Sequence, residues 1–313
     1  MKGVWLVFYL VTGGTGFIGS NLSEELLKRG HKVRIIDNLS TGKEENIRDF
    51  IKDIEFINGD IRDINTVKKA AHGVDYILHQ AALPSVPRSV ANPIETNNTN
   101  IDGTLNVLVA ARDEGVKRVV LASSSSVYGN SEALPKIETM GAKPLSPYAI
   151  TKYAGELYAK VFYDIYGLET VCLRYFNIFG PKQDPNSQYA AVIPRFITAM
   201  FKGESPVIYG EGEQSRDFTY IDNAVEANIL AAASPEAGHG EAVNIACGKR
   251  LSLNQLVDMI NAILGKNIKP VYAGEKKGDV KHSLADISLA ESLLGYKVKV
   301  NMEEGLQKLL DAT

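Results

Sequence analysis

An α/β fold, with a doubly wound parallel (Rossmann) sheet and a smaller mixed α/β C-terminal domain, is predicted by three features of the 313-residue chain. Apolar strand-like runs alternate with amphipathic helical stretches through the first half. A glycine-rich turn follows the first of these runs directly, and an aspartate closes the second. Together they predict a dinucleotide-binding unit over residues 1–176 and a substrate-binding unit over 177–313, with interdigitating segments that make the boundary approximate.

The run from Val4 to Val11 is too short to span a bilayer and meets a glycine turn without a small-residue cleavage site, so it reads as a buried strand. Gly13, Gly16 and Gly19 then follow in a G-x-x-G-x-x-G spacing. The first permits a tight turn, the second lets backbone approach a pyrophosphate, and the third allows close helix packing. Phe17 and Ile18 open the helix that carries Leu22, Leu26 and Leu27, and its N-terminal amides suit phosphates.

Strand two, Lys32 to Ile36, ends in Asp37, 18 residues past Gly19, where a carboxylate can hold ribose hydroxyls; Asn38 follows it in a turn. A carboxylate there repels a 2′-phosphate, which favours NAD over NADP. Strand three, Ile54 to Ile57, leads to Asp60 and Ile61 at an adenine-contacting position, and strand four, Val74 to His79, leads to Gln80, Ala81 and Ala82 beneath the cofactor. His79 reads as a packed strand-end residue. Leu83 to Ser89, with two prolines and two serines, reads as a loop at the carboxyl edge in which Ser85 faces substrate. Asn92 and Pro93 predict the cap and first turn of a long helix to about Arg112.

Strand five, Arg118 to Ala122, runs into Ser123, Ser124, Ser125 and Ser126, and the next helix opens with Tyr148 and Lys152, one turn apart on one face. A free tyrosine has a pKa of about 10, and bringing it near neutrality takes about three units, on the order of 4 kcal/mol. A nearby ammonium and an oxidised nicotinamide ring supply charge of the right sign, giving a general base suited to a sugar hydroxyl. Strand six, Thr170 to Tyr175, completes the sheet; beyond Asn177 the alternation breaks into turn-rich sequence with no second glycine fingerprint.

Composition narrows the partners. Hydrophobic residues make up 45% and charged residues 23%, and the formal charge is −3, with no Lys/Arg cluster, so neither nucleic acid nor an anionic membrane is expected. Cys172 and Cys247 show no metal-ligand spacing and read as structural thiols of a reducing, cytoplasmic compartment; no metal is expected.

The motifs TGGTGFIG, the Ser124 cluster with VYG, YAITK, RYFNIFGP and SRDFTYIDN together resemble the extended short-chain dehydrogenase/reductases, and within them the UDP-sugar 4-epimerases. The similarity covers essentially the whole chain. It is strongest toward the branch acting on UDP-N-acetylglucosamine, through QAALPSVPRS, NNTNIDGTLN, QDPNSQYAAVIP and GDVKHSLADIS. The resemblance implies bound NAD, Tyr148 as the base at the sugar O4 hydroxyl, Lys152 as the residue that lowers its pKa and holds the nicotinamide ribose, and Ser124 as a partner in proton transfer. Ser125, Ser85 and Val192 fall at sugar-side positions. Asn177 and Arg216 match diphosphate contacts, Tyr209 an aromatic that stacks on uracil, and Asp279 a uridine-ribose acceptor. Lys276 stands where relatives commonly carry Arg, which replaces a bidentate fork by a point charge. Ser283 matches a gate beside the sugar 2-substituent, where a small side chain leaves room for an N-acetyl group. Serines 125 and 126 replace the acidic pair of the related 4,6-dehydratases, which disfavours dehydration. The implied assembly is a homodimer joined through the helices around 92–112 and 145–166. The competing expectations are UDP-glucuronate 4-epimerisation, with Arg88 as the cation for a C6 carboxylate, and a non-catalytic dinucleotide sensor, which has no need of the Tyr148 and Lys152 pair.

Overall fold

The computed structural model describes residues 6–184, 191–274 and 281–311. Seven strands form the main sheet: β1 (Phe8–Thr12), β2 (Lys32–Asp37), β3 (Glu55–Asn58), β4 (Tyr76–His79), β5 (Arg118–Ser124), β6 (Glu169–Tyr175) and β7 (His239–Ile245). All neighbours pair in parallel, in the spatial order β7-β6-β5-β4-β1-β2-β3. The winding therefore reverses between β1 and β4. Ligands of open α/β sheets bind in the crevice beyond the strand ends at such a reversal.

Alternate strand residues point to opposite faces, and each face has its own core. Val11, Ile35, Leu78, Val120 and Val171 pack with α1 (Phe17–Lys28) and a long helix from the C-terminal part, Ile221–Ala233. Leu10, Ile36, Ile77, Val119, Leu121 and Cys172 pack on the other face with α2 (Ile64–Ala71) and two later helices. Both faces being covered explains why the strands are apolar throughout rather than alternating.

Two segments differ from expectation. The proline-rich stretch is helical: α3 (Val86–Ala91) starts after Ser85, whose side chain accepts from the Arg88 amide, with Pro87 in its first turn. Proline is compatible there because first-turn amides have no intrahelical acceptor. The long helix expected after Asn92 is divided into α4 (Pro93–Asn97), a π-helical turn (Asn98–Asp102) and α5 (Gly103–Asp113). Asn100 lies in that turn, and its side chain bonds the Leu83 amide (2.7 Å) and carbonyl (3.2 Å) and the Thr151 hydroxyl (3.0 Å). A wider turn that aims a polar side chain inward is a common use of π geometry.

Helix α6 (Pro147–Tyr166) is capped by Ser146 and ends at Gly167 in the left-handed conformation. The remaining helices are α7 (Val192–Phe201), α8 (Ile221–Ala233), α9 (Leu253–Leu264), α10 (Ser288–Leu294) and α11 (Met302–Asp311). Among them run three two-stranded pairings. The units interlock: β7 and α8, both from beyond residue 177, complete the sheet and cover one of its faces. Strand β7 was not expected from sequence. It is an edge strand whose first four residues stay partly exposed, so only Val243 to Ile245 carry a buried signal.

Candidate active site

A cleft of about 990 Å³ runs along the carboxyl ends of the strands at the winding reversal. Its floor begins with the glycine turn. Gly13 has φ +68°, and a Cβ there would stand 2.7 Å from the Ala81 backbone, so only glycine lets β1 and β4 approach this closely. A Cβ at Gly19 would meet the Gly13 carbonyl at 2.2 Å. Helix α1 starts after Gly16 with no side-chain cap, and Gly16, Phe17, Ile18 and Gly19 all line the cleft. An uncapped helix start facing a cleft is a site for phosphate.

Asp37 and Asn38 line the next part. The Asp37 carboxylate is buried and oriented by two amides, Thr15 (3.0 Å) and Leu39 (2.9 Å), which leaves a lone pair on each oxygen for hydroxyl donors. Ile61, Gln80, Ala81, Ala82 and Ser85 also line it; Ser85 has φ +95°, a strained conformation for a residue with a side chain. Asp60 is not among the lining residues. Its carboxylate accepts from Arg62 and from the cleft-lining Asn38, and the Arg62 guanidinium, with the Asn38 amide, holds its pKa down to about 2. The loop after Asp37, from Leu39 to Lys43, lines the cleft as well, together with Tyr175 and Lys182. The first of these was legible as the turn Ser40-Thr41-Gly42 behind the aspartate; Tyr175 and Lys182 carry no local signal.

At the far end stand Tyr148 and Lys152. The Lys152 ammonium donates to the Ala122 carbonyl at 2.8 Å and lies 5.9 Å from the centre of the Tyr148 ring. Burial pushes the phenol above its ordinary pKa, opposed by the nearby Ser124 hydroxyl, and burial draws Lys152 down to about 8. Desolvation dominates in a site this enclosed, and the ammonium is engaged by a strand carbonyl. Ser124 and Ser125 lie just outside the lining, in the turn from β5, where Ser124 accepts from the Ser126 amide.

The residues expected to hold a nucleotide sugar come from the C-terminal part. Asn177 has φ +40° and its side chain donates to the Asp217 carbonyl at 2.9 Å. Arg216 and Ser283 meet around Ser215: an Arg216 nitrogen donates to the Ser215 and Lys281 carbonyls, and the Ser283 amide donates to the Ser215 carbonyl. Tyr209 has the Arg195 guanidinium 5.9 Å from its ring centre, and Val192 opens α7 beside the cleft-lining Ala191. None of these five lines the cleft itself. Lys276 and Asp279 lie outside the described residues. Asp217 follows Arg216 in the chain. It is fully buried and accepts from the amides of Cys247, Gly248 and Ala285, with burial raising its pKa to about 6.

The uncapped helix start, the oriented Asp37 and the Tyr148 and Lys152 pair suit a dinucleotide with its pyrophosphate on α1 and its nicotinamide end toward Tyr148. Comparisons with known proteins agree. Residues 9–246 match the NAD dependent epimerase/dehydratase family. A UDP-glucose 4-epimerase of Mycolicibacterium smegmatis is 36% identical over 306 residues, 96% of this chain and 97% of that protein. The crystal structure of a UDP-N-acetylglucosamine 4-epimerase from Methanobrevibacter ruminantium, in complex with UDP-N-acetylmuramic acid, superimposes with a TM-score of 0.93 at 45% identity, covering 98% of each chain. That of UDP-glucuronic acid 4-epimerase from Bacillus cereus, with UDP-glucuronic acid and NAD, has a TM-score of 0.89 at 32% identity, over 97% of this chain and 98% of that one. The chain belongs to the NAD dependent epimerase/dehydratase family of extended short-chain dehydrogenase/reductases, and to its UDP-sugar 4-epimerase members.

Proposed function

We propose that this enzyme inverts C4 of UDP-glucose and UDP-galactose, and of UDP-N-acetylglucosamine and UDP-N-acetylgalactosamine. The observation that carries the reading is the Tyr148 and Lys152 pair, one helical turn apart, at the end of a cleft suited to a dinucleotide. Tyr148 takes the proton of the sugar C4 hydroxyl and later returns it. Ser124 holds O4 and keeps the phenol oriented, while Lys152 holds the ribose next to it. NAD, when bound, contributes a positively charged ring that favours the phenolate and carries the C4 hydride between the two faces of the 4-keto sugar, so no net redox change results. The sugar must turn over while the nucleotide stays held, a task for Asn177, Arg216 and Tyr209, with Lys276 and Asp279 as further nucleotide contacts.

Substrate range is tested by mixing the purified enzyme with UDP-glucose, UDP-N-acetylglucosamine and UDP-glucuronate separately and identifying products by NMR. Epimers of the first two are expected. Arg88 lines the cleft three residues from Ser85 and favours a second reading, UDP-glucuronate 4-epimerisation; an epimer formed only in that arm would establish it in place of the first. Ser283→Tyr is expected to abolish turnover of the acetylated sugar and spare UDP-glucose.

A further inference from the structure

The polar stripe of α6 does not stop at Lys152. Tyr148, Lys152 and Glu156 follow at four-residue intervals and so share one helix face. Two of them tie that face to the carboxyl end of β5, Lys152 to the Ala122 carbonyl and Glu156 to the Ser123 hydroxyl at 2.5 Å, and Tyr148 stands near Ser124 at the end of the same strand. Glu156 is 6% exposed, and both its oxygens are used. Oε1 accepts from Ser123 and from Arg174 Nε (2.9 Å), and Oε2 accepts from Arg174 Nη2 (2.7 Å). Ser123 and Arg174 are direct neighbours across β5 and β6, so one carboxylate spans both strands. The other end of the guanidinium donates to the Tyr128 hydroxyl (2.8 Å), which donates to Asn244 (2.7 Å) on β7.

Stability alone does not call for this arrangement. Well-packed apolar side chains commonly hold a helix as firmly as a buried ion pair does, because burying both charges costs much of what their attraction returns. What the carboxylate adds is direction, since charge-assisted bonds have fixed length and angle. We propose that Glu156 is a positioning residue, whose bond to Ser123 sets the axial register of α6 against β5 and thereby the placement of Tyr148 beside the end of that strand. The inference rests on the proposed role of Tyr148. A slip of α6 by about 1 Å carries the phenol with it, enough to spoil a hydrogen bond and a reactive alignment.

Ser123→Ala is the discriminating variant, because it removes the link while leaving Glu156 paired with Arg174. Two readouts are taken on the cofactor-loaded enzyme: kcat and KM for the UDP-hexose, and ionisation of Tyr148 followed as the ultraviolet difference from a Tyr148→Phe variant. The expected result is a kcat lower by about tenfold with KM and melting temperature little changed. The Tyr148 midpoint should rise, because the Ser124 hydroxyl opposes the effect of burial on the phenol. Ser123→Thr, which keeps the hydroxyl, should restore both. A kcat within about twofold of the parent, an unmoved midpoint, or no rescue by threonine overturns the inference. The titration needs no turnover, so a parent enzyme inert on every sugar would overturn the proposed activity while the midpoint still decides the role of Glu156.

Discussion

The Tyr148 phenol sits where burial alone makes it a poor base, raised above its ordinary pKa with Ser124 opposing the rise. In the proposed reaction its use as a base draws on charge that a bound dinucleotide would bring. Tyr148→Phe is expected to lower kcat by about 10²- to 10⁴-fold, the range for losing a positioned general base, with cofactor content unchanged. Steady-state rates and the absorbance of released NAD check both parts. His79 shows the opposite use of burial. It is enclosed between the Thr12 (2.7 Å) and Thr104 (2.9 Å) hydroxyls, and desolvation holds its pKa down to about 3. An unfolded chain binds this proton near pH 6.5, so the native state loses stability as pH falls below 6.5 and continues to lose it toward 3. By pH 5 that amounts to about 2 kcal/mol. Urea unfolding at pH 7.5 and 5 should show His79→Gln losing less stability over that interval than the parent. This is the packed strand-end residue that its position at the close of β4 suggested, and no catalytic role is needed to explain it.

At the scale of elements, the turn between β1 and α1 is the most constrained. Gly13→Ala places a methyl against the Ala81 backbone at 2.7 Å and forces a side chain into φ +68°. The cost should be about 2 kcal/mol or more, felt as lower melting temperature and weak retention of NAD through gel filtration. Sequence made this turn legible because glycine spacing is local chemistry. It made α6 legible through Tyr148 and Lys152, one turn apart at the start of a helical run, and the structure adds the Ser146 cap and the Gly167 stop. It misjudged α3, where proline was read as a loop former although the first turn tolerates it, and it ran α4 and α5 together. The division depends on Asn100 reaching Leu83 and Thr151, contacts between segments far apart in the chain.

For the whole molecule, the outer faces of α3, α4 and α6 leave Val90, Ile94, Ile150, Leu157, Val161 and Ile165 exposed. The four on α6 are spaced to share one side, forming an apolar stripe on a helix already covered on its other side. A homodimer through this surface is the expected assembly. Light scattering should give twice the mass of one chain, and Leu157→Glu combined with Ile165→Glu should give a monomer that stays folded, since both side chains are exposed in the single chain. Among the described residues no helix is long and apolar enough to cross a membrane.

The sequence by itself determined six of the seven strands, the glycine turn, the place of Asp37 after β2, and the pairing of Tyr148 with Lys152. Each of these is written in a short stretch of chain, where periodicity and spacing act directly. Only the tertiary structure decided that β7 and α8 complete and cover the sheet, that Asp60 bonds Arg62 and Asn38, and that Asp217 is buried on amides. It also decided that Glu156 joins Ser123 to Arg174. Those outcomes depend on desolvation and on partners dozens of residues away, and a carboxylate in a sequence looks the same whether water, an amide or a guanidinium will meet it.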